Sequence, residues 1–272
     1  MAKSNPMRAV QRKKPVKTTK TTKTTNRRKN TKTKNHKYFL YSSIIIILIL
    51  GSLLFIYHRY QTKNEKIRIQ NFVLNLPEGF KSIGIDVSHH QGNIPWDEWF
   101  SKSPLDTLID FVYCKATEGS TFVDSKWEQN RETLNELGIT NGAYHFLNTE
   151  TYSIPQAKHF INHWKKRDID LPPVLDVENE GPSDKILIDN MYDWLEYVEK
   201  ETGIKPIIYT SLHFYETKFK NEFKDYQFWI ASYTYKPACI EDNRIIHWQF
   251  TDKGKLPDID QDIDVNVSKI KY

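Results

Sequence analysis

The strongest constraint on this chain is a twenty-residue run without a charge, Tyr38 to Tyr57, reading YFLYSSIIIILILGSLLFIY. As a helix it would span about 30 Å, the thickness of a bilayer's hydrocarbon core. Tyr38, Phe39 and Tyr41 stand at one end, and Phe55, Tyr57 and Tyr60 at the other, as interfacial aromatics do. Residues 1–37 hold fourteen Lys/Arg and no Asp or Glu, partly as Lys-Thr repeats such as Lys17-Thr18-Thr19-Lys20. Such a segment buries no core, and disorder is expected there. Its charge puts the N-terminus in the cytoplasm by the positive-inside rule, and everything after His58 outside the membrane. No small-x-small cleavage site follows the run; His58-Arg59-Tyr60 does. The expectation is therefore an uncleaved, single-pass anchor in the cell membrane, with a periplasmic or extracellular body.

The net charge of +5 belongs to the tail, because residues 38–272 carry 25 basic against 34 acidic side chains. An acidic body lacks the clustered Lys/Arg that phosphate binding needs, so no nucleic acid partner is expected for it. Only two cysteines occur, Cys114 and Cys239. They make neither a disulfide framework nor a zinc-finger spacing. Cys114 sits in an apolar strand-like run and reads as a buried free thiol.

A polar, then mixed, linker over residues 58–79 closes with Pro77-Glu78-Gly79. From Phe80 onward, short apolar runs alternate with helical patterns. Strands are expected at Ile83–Val87, Phe111–Ala116, Gly142–Phe146, Val174–Val177, Pro206–Thr210, Phe228–Ala231, Ile245–Gln249 and Ile263–Val265. Helices are expected at Asp124–Leu137, stopped by Gly138, at Pro155–Lys166, and at Asp184–Glu201, closed by Gly203. This pattern fits an α/β fold, an irregular TIM-like (β/α) barrel over residues 80–272. Irregularity is expected because some gaps, such as Ala231 to Ile245, are too short for a full crossover helix.

Four strands are expected to present an acid at one end: Asp86, Glu118, Asp176 with Glu178, and Asp264. In Val174-Leu175-Asp176-Val177-Glu178 the two carboxylates are two residues apart, so they share a face, roughly 7 Å apart along the strand. A lone pair of this kind is ordinarily a solvated strand end. In a parallel barrel, however, C-terminal strand ends converge on one face, and converging like charges destabilise a fold unless used. Paired carboxylates can push their pKa values apart, as acid catalysis requires. The aromatics Tyr144, Tyr209, Trp229, Tyr233 and Trp248 attend the same ends, with Gln249 beside the last. Flat rings with polar tips suit sugar rings, although about half of such a set is expected to be core.

Metal chemistry has weaker support. Pro257-Asp258-Ile259-Asp260-Gln261-Asp262-Ile263-Asp264 resembles a calcium loop but lacks its glycine and terminal Glu. His159 and His163 share a helix face without the Glu of a metalloprotease helix. His89-His90 follows Asp86 in a loop and could touch a substrate. No metal or other cofactor is expected.

The motifs fall in an order that resembles the glycoside hydrolase family 25 lysozymes. Gly84-Ile85-Asp86-Val87-Ser88-His89-His90-Gln91-Gly92 is similar to their opening motif, and Lys115-Ala116-Thr117-Glu118-Gly119 to the second. Gly142-Ala143-Tyr144-His145-Phe146 and Pro173-Val174-Leu175-Asp176-Val177-Glu178 resemble the third and the catalytic strand. Trp229-Ile230-Ala231-Ser232-Tyr233, His247-Trp248-Gln249-Phe250 and Asp264-Val265-Asn266 resemble the closing motifs. Two departures are Pro95 before Trp96 and a glycine-poor segment before the last strand. The resemblance implies a muramidase acting on peptidoglycan glycan strands. By its pattern Glu178 is the general acid, and Asp176 stabilises the oxocarbenium-like state or orients the substrate's acetamido group. Asp86 and Asp264 would be supporting acids, and Glu118 a motif match of less defined role. A chitin-type glycosidase and a non-catalytic wall-binding module are the alternatives.

Overall fold

The structure is a computed structural model that describes residues 38–60, 77–102, 109–164, 171–233, 236, 238–256 and 259–272. The basic tail, most of the linker and Pro257-Asp258 lie outside the described residues. Two compact units divide the chain after Tyr60. The first holds α1 (Tyr38–Tyr60), a helix long and apolar enough to cross a membrane. Its serines are satisfied within the helix: Ser42 and Ser43 donate to the Phe39 carbonyl at 2.8 and 2.9 Å, and Ser52 to the Leu48 carbonyl at 2.8 Å.

The second unit is a closed barrel. Its strands are β1 (Ser82–Val87), β2 (Phe111–Glu118), β4 (Asn141–Phe146), β5 (Val174–Val177), β6 (Ile207–Ser211), β7 (Gln227–Ala231), β8 (Ile245–Gly254) and β9 (Ile263–Ser268); β3 (Phe122–Val123) forms a short hairpin on β2. The order β1-β9-β8-β7-β6-β5-β4-β2 is closed by β1 pairing with β2. All eight expected strands are present. One feature differs from an all-parallel barrel: β9 runs antiparallel to both β8 and β1. The chain from β8 to β9 is too short for a crossover helix, so the strand returns directly.

The helices cover the outside. They are α2 (Trp96–Lys102), α3 (Trp127–Glu136), α4 (Ser153–His163), α5 (Asp184–Thr202) and the one-turn α6 (Leu212–Phe214), which runs into a π-helical turn at Tyr215–Phe219. Among the described residues between β7 and β8 there is a 3-10 turn at Ala238–Glu241 and no α-helix. The α5 helix shows why these segments form. Ser183 caps it by accepting from Ile186 N–H, Gly203 ends it in a left-handed conformation at φ 70°, and Leu187, Met191, Trp194, Leu195 and Val198 make one buried stripe. The α3 helix starts three residues later than expected because Asp124 closes the preceding turn, accepting from Lys126 N–H at 2.9 Å. The α4 helix starts earlier, at Ser153, since Pro155 is tolerated in a first turn.

Two cores result. Between barrel and helices lies the larger one, which includes Cys114, a free buried thiol, and Trp248. Inside the barrel Phe111, Tyr113, Val174, Ile207, Trp229 and Ile246 pack with Leu171 and Tyr209. Glycines make room for these rings. A Cβ on Gly84 would lie 2.4 Å from the Phe111 ring, and one on Gly142 would lie 2.5 Å from the Tyr113 ring.

Candidate active site

A cavity of about 230 Å³ occupies the end of the barrel where the parallel strands finish, lined by Asp86, Asp176, Glu178 and Asp264 among others. Asp264 arrives differently from the rest. It sits at the start of β9, and the antiparallel direction of that strand sets it directly across from Asp86. A second lobe of about 550 Å³ shares Glu178, Tyr209 and Tyr233 and continues past Ser211, His213 and Glu216.

The floor is a hydrogen-bond network around Asp86. Its Oδ2 accepts from Gln249 Nε2 at 2.9 Å and from Asn266 Nδ2 at 2.8 Å. Trp229 Nε1 donates to Asn266 Oδ1 at 2.9 Å. An indole N–H can only donate, so the Asn266 amide is fixed with its NH₂ toward Asp86. Gln249 Oε1 accepts from Tyr209 at 2.8 Å and from Tyr233 at 2.7 Å. Gln249 lines the cavity, but its amide is already engaged by protein, and it acts as a strut.

Four carboxyls in one cavity cannot all ionise freely. Burial pushes Asp86 up to about 6, against the opposing pull of Asn266 and Gln249. Asp264 is pushed up to about 9, by burial first and then by Asp86. Asp176 is raised well above the usual carboxylate range by burial and then by Glu178, with Lys115 opposing. Glu178 is raised by partial desolvation, although it stands exposed at the rim; the Lys115 charge opposes this. The Oδ1 of Asp176 is buried and has no hydrogen-bond partner among the described residues. The phenols of Tyr144 and Tyr209 are held neutral by burial and by these acids.

Lys115 is a cavity-lining side chain that period-two reading passes over. A bulge in β2 between Lys115 and Thr117 breaks the alternation. Thr117 turns outward, 2.8 Å from His145 Nδ1, so Lys115 and Glu118 meet at the mouth. Lys115 Nζ donates to Glu118 Oε2 at 2.6 Å and lies 4.8 Å from the Phe146 ring centroid. Glu118 is therefore an ion-pair partner at the edge, outside the set that lines the cavity. The loop after β1 is held by a Ser88–Gln91 capping box and by His89, whose Nδ1 lies 2.6 Å from the buried Asp124. This presents Ser88, His90 and Gln91 to the cavity.

Of the aromatics, Tyr144, Tyr209, Trp229 and Tyr233 line the cavity and Trp248 does not. Trp248 faces the helical layer, where it packs 6.0 Å from Phe80 and donates to the Ser232 carbonyl at 2.9 Å. Adjacent residues of a strand point to opposite faces, so with Gln249 turned in, Trp248 must turn out. His159 and His163 lie on α4, ring centroids 4.6 Å apart, with His159 Nε2 2.9 Å from the Phe122 carbonyl. Among the described residues no cluster of three or more His, Cys, Asp or Glu is arranged to hold a metal ion.

Comparison with known proteins agrees with this fold. Uncharacterized protein YegX of Escherichia coli (strain K12) is 34% identical over 200 residues, 73% of this chain and 74% of that protein. The structure of a family 25 glycosyl hydrolase from Bacillus anthracis superposes with a TM-score of 0.64 at 30% identity, over 71% of this chain and 91% of that one. A bacterial lysozyme from Streptomyces coelicolor gives 0.61 at 26% identity, over 70% and 93%. Residues 85–259, more than half of the chain, match the family described as glycosyl hydrolases family 25, and the chain belongs to that family of glycoside hydrolases.

Proposed function

We propose that this enzyme is a peptidoglycan muramidase, hydrolysing the β-1,4 bond between N-acetylmuramic acid and N-acetylglucosamine. The observation that carries the reading is the Asp176 Oδ1, buried beside Glu178 with no partner of its own. A buried acceptor without a donor is costly unless a ligand supplies one. An acetamido N–H, which every sugar of this polymer carries, is a donor of the right kind. Glu178, with its proton held to higher pH than usual, is the general acid for the leaving oxygen. Asp176 then orients the acetamido group or stabilises the oxocarbenium-like transition state. Tyr209 and Tyr233 stand where the two lobes join, suited to sugar rings on either side of the scissile bond.

The same reading assigns α1 as a single-pass anchor with a cytoplasmic N-terminus, leaving the barrel outside beside the wall. Its length, its lack of charge and the basic flank support this. Purified peptidoglycan and chitin oligomers, offered side by side to the full chain, test the substrate. Cleavage of the first and not the second is expected; the reverse preference overturns the muramidase reading. Protease added outside intact cells should reach the barrel and leave residues 1–37 protected.

A further inference from the structure

The network beneath the cavity does more than brace it. Asp86 and Asp264 face one another across the β1–β9 pair, and two carboxyls set opposite each other do not both ionise freely, which favours a proton on one of them. Their surroundings are unequal. Two amide donors end on Asp86 Oδ2: Asn266, locked in orientation by the donor-only Trp229 indole, and Gln249, whose Oε1 is engaged by Tyr209 and Tyr233. Among the described hydrogen bonds no amide comparably serves Asp264. Donors stabilise a carboxylate over a carboxylic acid.

We infer that Trp229, Asn266 and Gln249 form a positioning relay that keeps Asp86 as the charged member of the pair, so that Asp264 holds the proton and presents a hydrogen-bond donor to the glycan. Two acids of identical type thereby acquire opposite roles, Asp264 as donor to substrate oxygens and Asp86 as the charged acceptor of the two amides. The other charged or titratable groups facing the pair are consistent with this. Glu178 beyond β5 and Asp252 on β8 add negative charge around Asp264, as does Asp262 before β9, itself paired with Lys255 at 2.6 Å, and Asp176, Tyr144, Tyr209 and Tyr233 are acids too. Lys115 is the cation on the opposite side, acting on Asp176 and Glu178. None of these supplies a counter-charge to Asp264.

The relay is tested by infrared difference spectroscopy on the full chain in detergent, with Asp264→Asn, Asp86→Asn and Trp229→Phe. Near neutral pH the protonated-carboxyl band assigned to the pair should vanish in Asp264→Asn and persist in Asp86→Asn. Trp229→Phe keeps an aromatic ring against Tyr113 and Tyr209 but removes the lock on Asn266. It should move the Asp86 carboxylate titration upward by about one pH unit. A merely structural Trp229 would lower melting temperature without moving that titration. Hydrolysis adds a second readout, and this one rests on the muramidase reading: Asp86→Asn should cost at least about tenfold more in kcat than Asp264→Asn, since an amide retains an N–H donor but no charge. Loss of the band in Asp86→Asn instead, or an unmoved titration in Trp229→Phe, overturns the relay. Wild-type chain inactive on peptidoglycan overturns the muramidase reading and leaves the spectroscopic result standing by itself.

Discussion

The two ends of this barrel use aspartate in opposite ways. At the far end from the cavity, Asp242 precedes β8 and meets Arg244 twice, Nη2 to Oδ2 at 2.7 Å and Nε to Oδ1 at 3.1 Å. Tyr215 donates to the same carboxylate at 2.6 Å, and Arg244 Nη1 reaches the Lys220 and Phe223 carbonyls. Arg244 holds the Asp242 carboxyl below the usual range. At the mouth, Asp86 and Asp176 are buried and Asp264 is half-buried, none of them paired with an Arg among the described residues, and all three are held above that range. The paired carboxylate ties the π-helical turn to β8 and supports the fold. The unpaired ones weaken the fold at neutral pH, and the proposed mechanism gives them their use, on a ligand.

The largest expected effect separates the ends by activity. Glu178→Gln should lower hydrolysis on the order of 10²–10⁴-fold with melting temperature held or raised, the range for loss of a general acid. Next, Arg244→Met leaves Asp242 partly buried without its partner and should destabilise by about 2–4 kcal/mol, read in denaturant titration. Activity per folded molecule should stay at the wild-type level, because nothing in the clamp reaches the cavity. If Arg244→Met instead reduced kcat while sparing stability, the division between the ends would be wrong.

The third prediction concerns pH. A group whose folded pKa is raised contributes stability below its unfolded value, and that contribution is lost as pH rises through the folded value. For Asp264 this window runs from about 4, the unfolded value, to about 9. Asp264→Asn, which cannot ionise, should therefore gain on wild type across that window when melting temperatures are compared at its two ends. A gain that shrank with rising pH would contradict the burial argument. The smallest effect belongs to Trp248→Phe, which removes the bond to the Ser232 carbonyl. It should cost about 1 kcal/mol of stability and leave KM in place, since the ring faces away from the groove.

Much of this was legible before any coordinates. The eight strands could be read because each is a short apolar run between turn residues, and the acids because they interrupt such runs at their ends. Where the sequence misled, the reason is physical. In Ile245-Ile246-His247-Trp248-Gln249-Phe250 both faces of β8 are buried, so hydrophobic alternation cannot say which face turns inward, and Trp248 read as a groove residue. The β2 bulge that brings Lys115 to Glu118 leaves no composition signal. The direction of β9 was hidden because strand propensity is the same for either direction, yet that direction is what brings Asp264 to Asp86. The β3 hairpin and α2 are too short for a periodic pattern. The amide relay was partly visible, since Asn266 and Gln249 sit inside apolar strands where a polar side chain needs a partner, but the partner could not be named from the chain alone.

The most direct test of the central claim is the chemistry of the new chain ends. Purified peptidoglycan is digested with the full chain, the products are reduced, and mass spectrometry reads which sugar carries the new reducing end. Reduced N-acetylmuramic acid from wild type, and none from Glu178→Gln, is the expected result. Reduced N-acetylglucosamine, or muramic acid ends released equally by Glu178→Gln, would contradict the account.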